Sequence, residues 1–135
     1  MTTVFTWPVR VYWEDTDAGG VVFYANYLKF FERSRTEWLR SRGIEQQRLR
    51  KDTGGMFVVS HANVRYLKSA RLDDELLVTT SLQEVGKASM TIHQQAMGKG
   101  GPATELLCEA IIRIGWVNEQ GKPSRIPHVI QHTLT

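Results

Sequence analysis

Residues 24–43 read Tyr24-Ala25-Asn26-Tyr27-Leu28-Lys29-Phe30-Phe31-Glu32-Arg33-Ser34-Arg35-Thr36-Glu37-Trp38-Leu39-Arg40-Ser41-Arg42-Gly43. Tyr24, Tyr27, Leu28, Phe31 and Trp38 fall on one helical stripe with the small Ser34 in its gap, while Lys29, Arg33, Thr36 and Arg40 fall opposite. Gly43 is suited to close the helix in the left-handed conformation, and Arg40 and Arg42 place positive charge at the negative end of its dipole. The spacing predicts a helix from about Tyr24 to Arg42, roughly 27 Å long at 1.5 Å per residue. A helix with so pronounced an apolar stripe needs a partner surface, and the rest of the chain supplies one.

Downstream the period changes from helical to two-residue. Met56–Tyr66, Glu75–Val85, Ala88–Met97 and Ala103–Val117 read as strands, with Gly86-Lys87 set for a hairpin and Gly98–Pro102 for a looser turn. Ile44–Lys51 suggests a short second helix before Gly54-Gly55, and Ser124–Thr135 is open to either reading. Upstream, Phe5, Trp7, Val9, Val11 and Trp13 alternate with Thr6, Pro8, Arg10 and Tyr12 as in a strand with one buried face. Pro8 lacks an N–H, so that strand should border the sheet. The expected class is α+β: a long central helix wrapped by an antiparallel sheet of about five strands.

At 135 residues, 41% hydrophobic and 23% charged, the chain reads as a single domain spanning residues 1–135 with a core of its own. A lone cysteine, Cys108, closes no intrachain bridge, and its apolar neighbours make it a buried core thiol. No basic, apolar leader opens the chain and no apolar run reaches the roughly 18 residues of a membrane span, so the expectation is a cytoplasmic protein. The excess of 17 Lys+Arg over 14 Asp+Glu is mild, and its clustering from Arg33 to Lys51 reads as a solvated helix face, with no nucleic-acid partner implied. It still favours a small anionic ligand such as one carrying phosphates.

The sequence contains no G-x-S-x-G, H-E-x-x-H, C-x-x-C or P-loop pattern. Gly98, Gly100 and Ala103 fit G-x-G-x-x-A formally but sit in a strand-to-strand turn with no helix to receive a pyrophosphate. His61, His93, His128 and His132 lack ligand spacing, so no metal site is expected, and Asp73-Asp74 reads as a turn before a strand.

The segment that carries chemistry is Asp15-Thr16-Asp17-Ala18-Gly19-Gly20-Val21-Val22-Phe23-Tyr24, between the first strand and the helix. Taken alone, Asp-x-Asp-x-Gly is a turn or cap pattern. A calcium loop counted from Asp15 fails at Gly19 and at Asn26, where an oxygen ligand and a bidentate Glu are required. A phosphatase-type D-x-D needs a parallel sheet, and the strands here form a meander. There remains a carboxylate facing a helix N-terminus, whose free N–H groups polarise a carbonyl while the carboxylate attacks it or activates water.

With Phe23-Tyr24-Ala25-Asn26-Tyr27 and Glu32-Arg33-Ser34-Arg35, this run resembles the hot-dog acyl-CoA thioesterases, both the 4-hydroxybenzoyl-CoA thioesterase branch and the Tol-Pal-associated branch. The likeness continues more weakly through Tyr66, Ala70–Asp74 and Gly86-Lys87-Ala88-Ser89. It implies hydrolysis of an acyl-CoA to a free acid and CoA without metal or cofactor, by a homodimer or homotetramer with active sites between subunits. An acyl carrier protein is a further partner it admits. Asp17 would be the catalytic carboxylate, the backbone N–H of Tyr24 would polarise the thioester oxygen, Lys87 and Ser89 would meet the CoA nucleotide, and Met56, Phe57 and Val58 would line the acyl pocket from the partner subunit. Position 24 is Tyr as in the hydroxybenzoyl branch, where many Tol-Pal-associated members carry His, so only the backbone role transfers. Chain length and the Asp15–Gly20 wording favour the Tol-Pal-associated branch. Another class stays open, a non-catalytic module or scaffold that binds acyl-CoA or acyl carrier protein in an envelope or lipid-synthesis complex.

Overall fold

A computed structural model describes residues 3–99 and 104–135. Strand β1 (Val4–Arg10) leads through a 3-10 turn (Trp13–Asp15) to helix α1 (Asn26–Ser41) and helix α2 (Gln46–Thr53). Strands β2 (Met56–Tyr66), β3 (Glu75–Val85), β4 (Ser89–Gly98) and β5 (Glu105–Val117) follow, and helix α3 (His128–Leu134) ends the chain. The strands form one antiparallel sheet in the order β1-β3-β4-β5-β2. The long helix and the antiparallel sheet are as expected, but only β3-β4-β5 run as a meander: β2 crosses to the far edge beside β5 and β1 takes the place next to β3. The limits of β2 to β5 fall within two residues of those read from the sequence. Gly98 ends β4, while Gly100 and Ala103 of the formal G-x-G-x-x-A match lie outside the described residues.

Helix α1 packs over β3, β1 and β4. Its buried face is Tyr27, Phe30, Phe31, Ser34, Trp38 and Leu39, set against Leu76, Val78, Met90 and Ile92 of the sheet. Fully burying one such side chain contributes about 1.5–3 kcal/mol, so this face accounts for much of the core's stability. Ser34 fills the gap in the stripe because the helix approaches β3 closely there; its hydroxyl donates to Val78 O at 2.9 Å and lies 2.7 Å from Thr80 Oγ1.

Four apolar positions depart from the expected pattern, the first being Trp7, which is 37% exposed because β1 is a sheet edge. The helix begins at Asn26, so Tyr24 precedes it in a turn and is exposed. Leu28 is exposed and Phe30 takes its place inside, because α1 lies toward the β1 half of the sheet and its other flank is uncovered. Trp13 is 83% exposed: β1 ends at Arg10, and the 3-10 turn breaks the alternation before Trp13 is reached.

The two sheet edges differ. β1 is a seven-residue edge carrying Pro8, which blunts it for further pairing. β2 is an eleven-residue edge without proline, and Met56, Val59 and Tyr66 are exposed along it. The tail left open by the sequence forms α3, whose Gln131 side chain donates to Gly86 O at 2.7 Å and whose Ile130 and Leu134 are buried. No helix among the described residues is long and apolar enough to cross a membrane.

Candidate active site

The loop between the 3-10 turn and α1 is tied down by backbone. Asp17 N–H donates to Val21 O at 2.9 Å and Gly20 N–H to Asp17 O at 3.1 Å, closing a tight turn in which Gly20 adopts φ 79°. Val22 N–H donates to Ala70 O at 2.9 Å and Phe23 N–H to Asp15 O at 2.9 Å. The loop is therefore stitched on one side to the segment before β3 and on the other to the 3-10 turn.

Asp17 is exposed at the tip of that turn. Its Oδ1 accepts the Gly19 N–H at 2.8 Å, the only hydrogen bond its carboxylate makes among the described residues. A Cβ at position 19 would lie 3.3 Å from that oxygen, so glycine lets the carboxylate close on the backbone. The bond fixes one oxygen and leaves the other directed to solvent, as a nucleophile or general base requires.

Beneath it, Asp15 is buried, its Oδ2 accepting Tyr12 N–H at 2.8 Å and its Oδ1 accepting the Asn26 side-chain amide at 2.7 Å. Asp15 thus joins the loop to the first residue of α1. Among the described residues no acceptor takes the Tyr24 N–H, which lies just ahead of the helix. Asn26 N–H, by contrast, bends back to Phe23 O at 2.8 Å. A carboxylate with a free oxygen and an uncommitted amide at a helix start can polarise a carbonyl and attack it or activate water against it.

Aromatic rings shape the floor. The Tyr24 ring tilts on Phe23 at 4.9 Å and meets Tyr66 edge-on at 5.9 Å, and Tyr66 in turn meets Tyr27 at 5.8 Å. Tyr24, Tyr27, Tyr66 and Lys68 line a shallow cavity of about 170 Å³ here. The Tyr27 hydroxyl accepts Ala70 N–H at 3.0 Å. Burial raises the Tyr27 pKa despite that N–H, and burial likewise raises that of Tyr66, so both stay protonated at neutral pH.

The seven sequence-derived candidates fall into two groups. Asp17 and Tyr24 lie on one loop, which Val22 N–H ties to Ala70 O ahead of β3. Lys87 lies in the turn after β3 and Ser89 opens β4, with Gly86 N–H donating to Ser89 O at 2.7 Å and Lys87 O accepting Ile126 N–H at 2.8 Å. Met56, Phe57 and Val58 open β2 near them, since Val58 and Ser89 both register with Gly115 of β5. β3 separates the groups by roughly 30 Å at 3.3 Å per residue, too far for one chain's two groups to meet around a single thioester. Asp15, Asn26 and Tyr66 fall within the quoted sequence runs but received no site role from them. A carboxylate two residues before Asp17 and an amide at the predicted helix start were the available signals. Among the described residues no cluster of three His, Cys, Asp or Glu side chains could hold a metal ion.

Comparison with known proteins gives a consistent answer. The family model of the thioesterase superfamily matches residues 19–104, beginning just past Asp17. The chain is 41% identical over 128 residues to the acyl-CoA thioesterase YbgC of Haemophilus influenzae, covering 94% of this chain and 91% of that protein. It is 42% identical over 130 residues to the acyl-CoA thioester hydrolase YbgC of Escherichia coli O6:H1, covering 96% and 94%. The crystal structure of a 4-hydroxybenzoyl-CoA thioesterase mutant with bound 4-hydroxybenzoyl-CoA superposes with a TM-score of 0.90 over 98% of this chain and 99% of that one, at 17% identity, a likeness of fold. The chain belongs to the thioesterase superfamily and has the hot-dog fold.

Proposed function

We propose that the protein is an acyl-CoA thioesterase in which Asp17 performs the chemistry. The observation that carries this reading is the Asp17 carboxylate, held by one oxygen on Gly19 N–H in the loop that leads to the uncommitted Tyr24 N–H at the start of α1. The Tyr24 amide binds the thioester oxygen as charge builds on it. Asp17 then either attacks the carbonyl carbon, giving a mixed anhydride that water hydrolyses, or takes a proton from water as that water attacks. Both routes break the C–S bond, release CoA thiolate, which is protonated, and yield the carboxylic acid. A single turnover in ¹⁸O-labelled water that leaves the product unlabelled and places the label in Asp17 identifies direct attack, with water opening the anhydride at the Asp17 carbonyl. The relatives named acyl-CoA thioesterases, at 41% and 42% identity, support this substrate class.

The working unit in this reading is a homodimer paired through β2, itself able to double into a homotetramer. Two β2 edges meeting antiparallel place the Phe57 end of one chain against the Tyr66 end of the other, which would unite the two groups of site residues. Phe57 and Val58 then take the acyl group, and Lys87 and Ser89 the CoA nucleotide, from the partner subunit. The thioester on an acyl carrier protein is a second substrate form for test. We assign the protein to the Tol-Pal-associated branch on its Asp15–Gly20 run, and to the cytoplasm, whose reducing conditions suit a chain with one cysteine.

CoA release from a panel of aliphatic and aromatic acyl-CoAs tests the activity. Release from at least one member is expected. Tight binding with no release from any member would instead make the protein a binding module. Light scattering tests the assembly, and a 15.4 kDa particle would contradict it.

A further inference from the structure

Between α1, the start of α2 and the β2–β5–β4 part of the sheet lies a cavity of about 440 Å³ whose walls include Phe57, Val58, Met90, Ile92 and Ile114. The cavity is mostly apolar, yet Arg35 of α1 also lines it, together with Glu32, Thr36 and Gln46. Among the described residues Arg35 makes one hydrogen bond, from Nη1 to Gln94 Oε1 at 2.9 Å, and no carboxylate lies within ion-pair distance of it. A guanidinium carries five N–H donors, so most of this one's capacity is uncommitted.

Arg35 is held in place by a built arrangement. Gln94 is fully buried, and its amide nitrogen donates to Phe31 O at 3.0 Å, Thr80 Oγ1 at 2.9 Å and Thr79 O at 3.3 Å. Those three acceptors fix which way the amide faces, and its oxygen therefore presents to Arg35. Glu32, on the same wall, stands beyond ion-pair distance of the guanidinium and turns its Oε2 to the Thr36 hydroxyl, which itself accepts Gln46 Nε2 at 2.9 Å. Burial draws the Arg35 pKa below the ordinary arginine value, against the opposing pull of Glu32, and the group stays cationic at neutral pH. Keeping a cation partly desolvated with no carboxylate in direct contact is costly, and the cost falls when an anion binds against it.

Phe57 and Val58, the residues assigned above to the acyl group, line this same cavity, so the inference rests on the thioesterase reading. We propose that Arg35 is a specificity-determining residue that receives a carboxylate at the far end of the acyl chain, making the preferred substrates CoA monothioesters of dicarboxylic acids. The end group must accept hydrogen bonds, since the guanidinium only donates, and a carboxylate matches its two parallel N–H bonds while placing a charge in direct contact with it.

The test compares chain-matched pairs, adipoyl-CoA with hexanoyl-CoA and suberoyl-CoA with octanoyl-CoA, in the wild type and in Arg35→Met, Arg35→Gln and Arg35→Lys. The wild type should favour the carboxylated member of at least one pair by roughly tenfold or more in kcat/KM. Arg35→Met and Arg35→Gln should lose roughly a hundredfold on that member while changing little on its plain partner, and Arg35→Lys should recover part of the loss. The same pairs built as non-hydrolysable CoA thioethers, titrated by calorimetry, give a readout independent of turnover. Preference for the carboxyalkyl thioether that disappears in Arg35→Met supports the inference even if no thioester is hydrolysed, in which case only the enzymatic reading fails. Equal treatment of both members by the wild type, or a preference unchanged in both Arg35→Met and Arg35→Gln, overturns it. Equal unfolding temperatures for wild type and Arg35→Gln exclude misfolding as the cause of a loss.

Discussion

The Asn26 side-chain amide donates a 2.7 Å hydrogen bond to Oδ1 of Asp15, and both residues are buried. Through this bond the first residue of α1 holds the loop that presents Asp17. Asn26→Ala leaves a buried carboxylate oxygen without its donor, which costs about 1–3 kcal/mol. The expected outcome is a melting temperature lowered by several degrees together with a fall in kcat larger than the change in KM. Thermal unfolding and steady-state kinetics on the one variant check both. Unchanged kcat at the lowered stability would separate this bond from the chemistry.

Gly55 precedes β2 where the chain passes over Trp116. A Cβ there would meet Trp116 Cζ2 at 2.5 Å and Val117 O at 2.7 Å, and the Trp116 ring is itself packed edge-on to Phe57 at 5.0 Å. Gly55→Ala should therefore destabilise by about 1–3 kcal/mol, the usual cost of overpacking. Denaturant unfolding would show a lower midpoint at unchanged slope.

Cys108 is buried on β5 and its thiol pKa is pushed up to about 12, chiefly by burial and despite a hydrogen bond from the backbone at Glu109. The thiolate is the reactive form, so the native protein should resist maleimide or disulfide reagents at neutral pH. Labelling should become rapid only in denaturant. Mass spectrometry of native and denatured samples decides it.

Glu109 on β5 accepts hydrogen bonds from Gln95 at 2.9 Å and His93 at 3.0 Å, and these, with the Gln95 bond foremost, hold its pKa below the ordinary carboxylate value. A carboxylate whose pKa is lower in the folded state contributes stability above its unfolded pKa and loses that contribution as pH falls through the folded value. Gln95→Leu should raise the Glu109 pKa, seen by NMR titration. The variant's stability deficit should be present at neutral pH and shrink at strongly acidic pH. A deficit independent of pH would assign the effect to packing instead.

Much of this architecture was legible because the apolar periods were clean. The stripe of Tyr27, Phe31 and Trp38 and the two-residue alternations on either side of Gly86 specify a helix against a meander. Leu28 and Phe30 exchanged places because helical periodicity gives a face but not which flank the sheet covers, and that depends on where β1 and β3 lie. Trp13 misled since alternation continues in the sequence beyond the point where the backbone turns. In the site, Asp17 and Tyr24 stood out by their place before the helix. Asp15 and Asn26 pair across eleven positions, and Arg35 depends on Gln94 of β4, contacts that exist only once the chain has folded.

The central claim is that the Asp17 carboxylate performs the hydrolysis. Asp17→Asn keeps the side chain's size and an oxygen for the Gly19 N–H while removing the charge that attacks or activates water. CoA release by this variant, measured beside wild type on the best acyl-CoA of the panel, with circular dichroism and melting temperature confirming the same fold, is the most direct test. The account predicts kcat lowered by roughly a hundredfold or more, with acyl-CoA binding retained. A folded Asp17→Asn variant that releases CoA at the wild-type rate would contradict it.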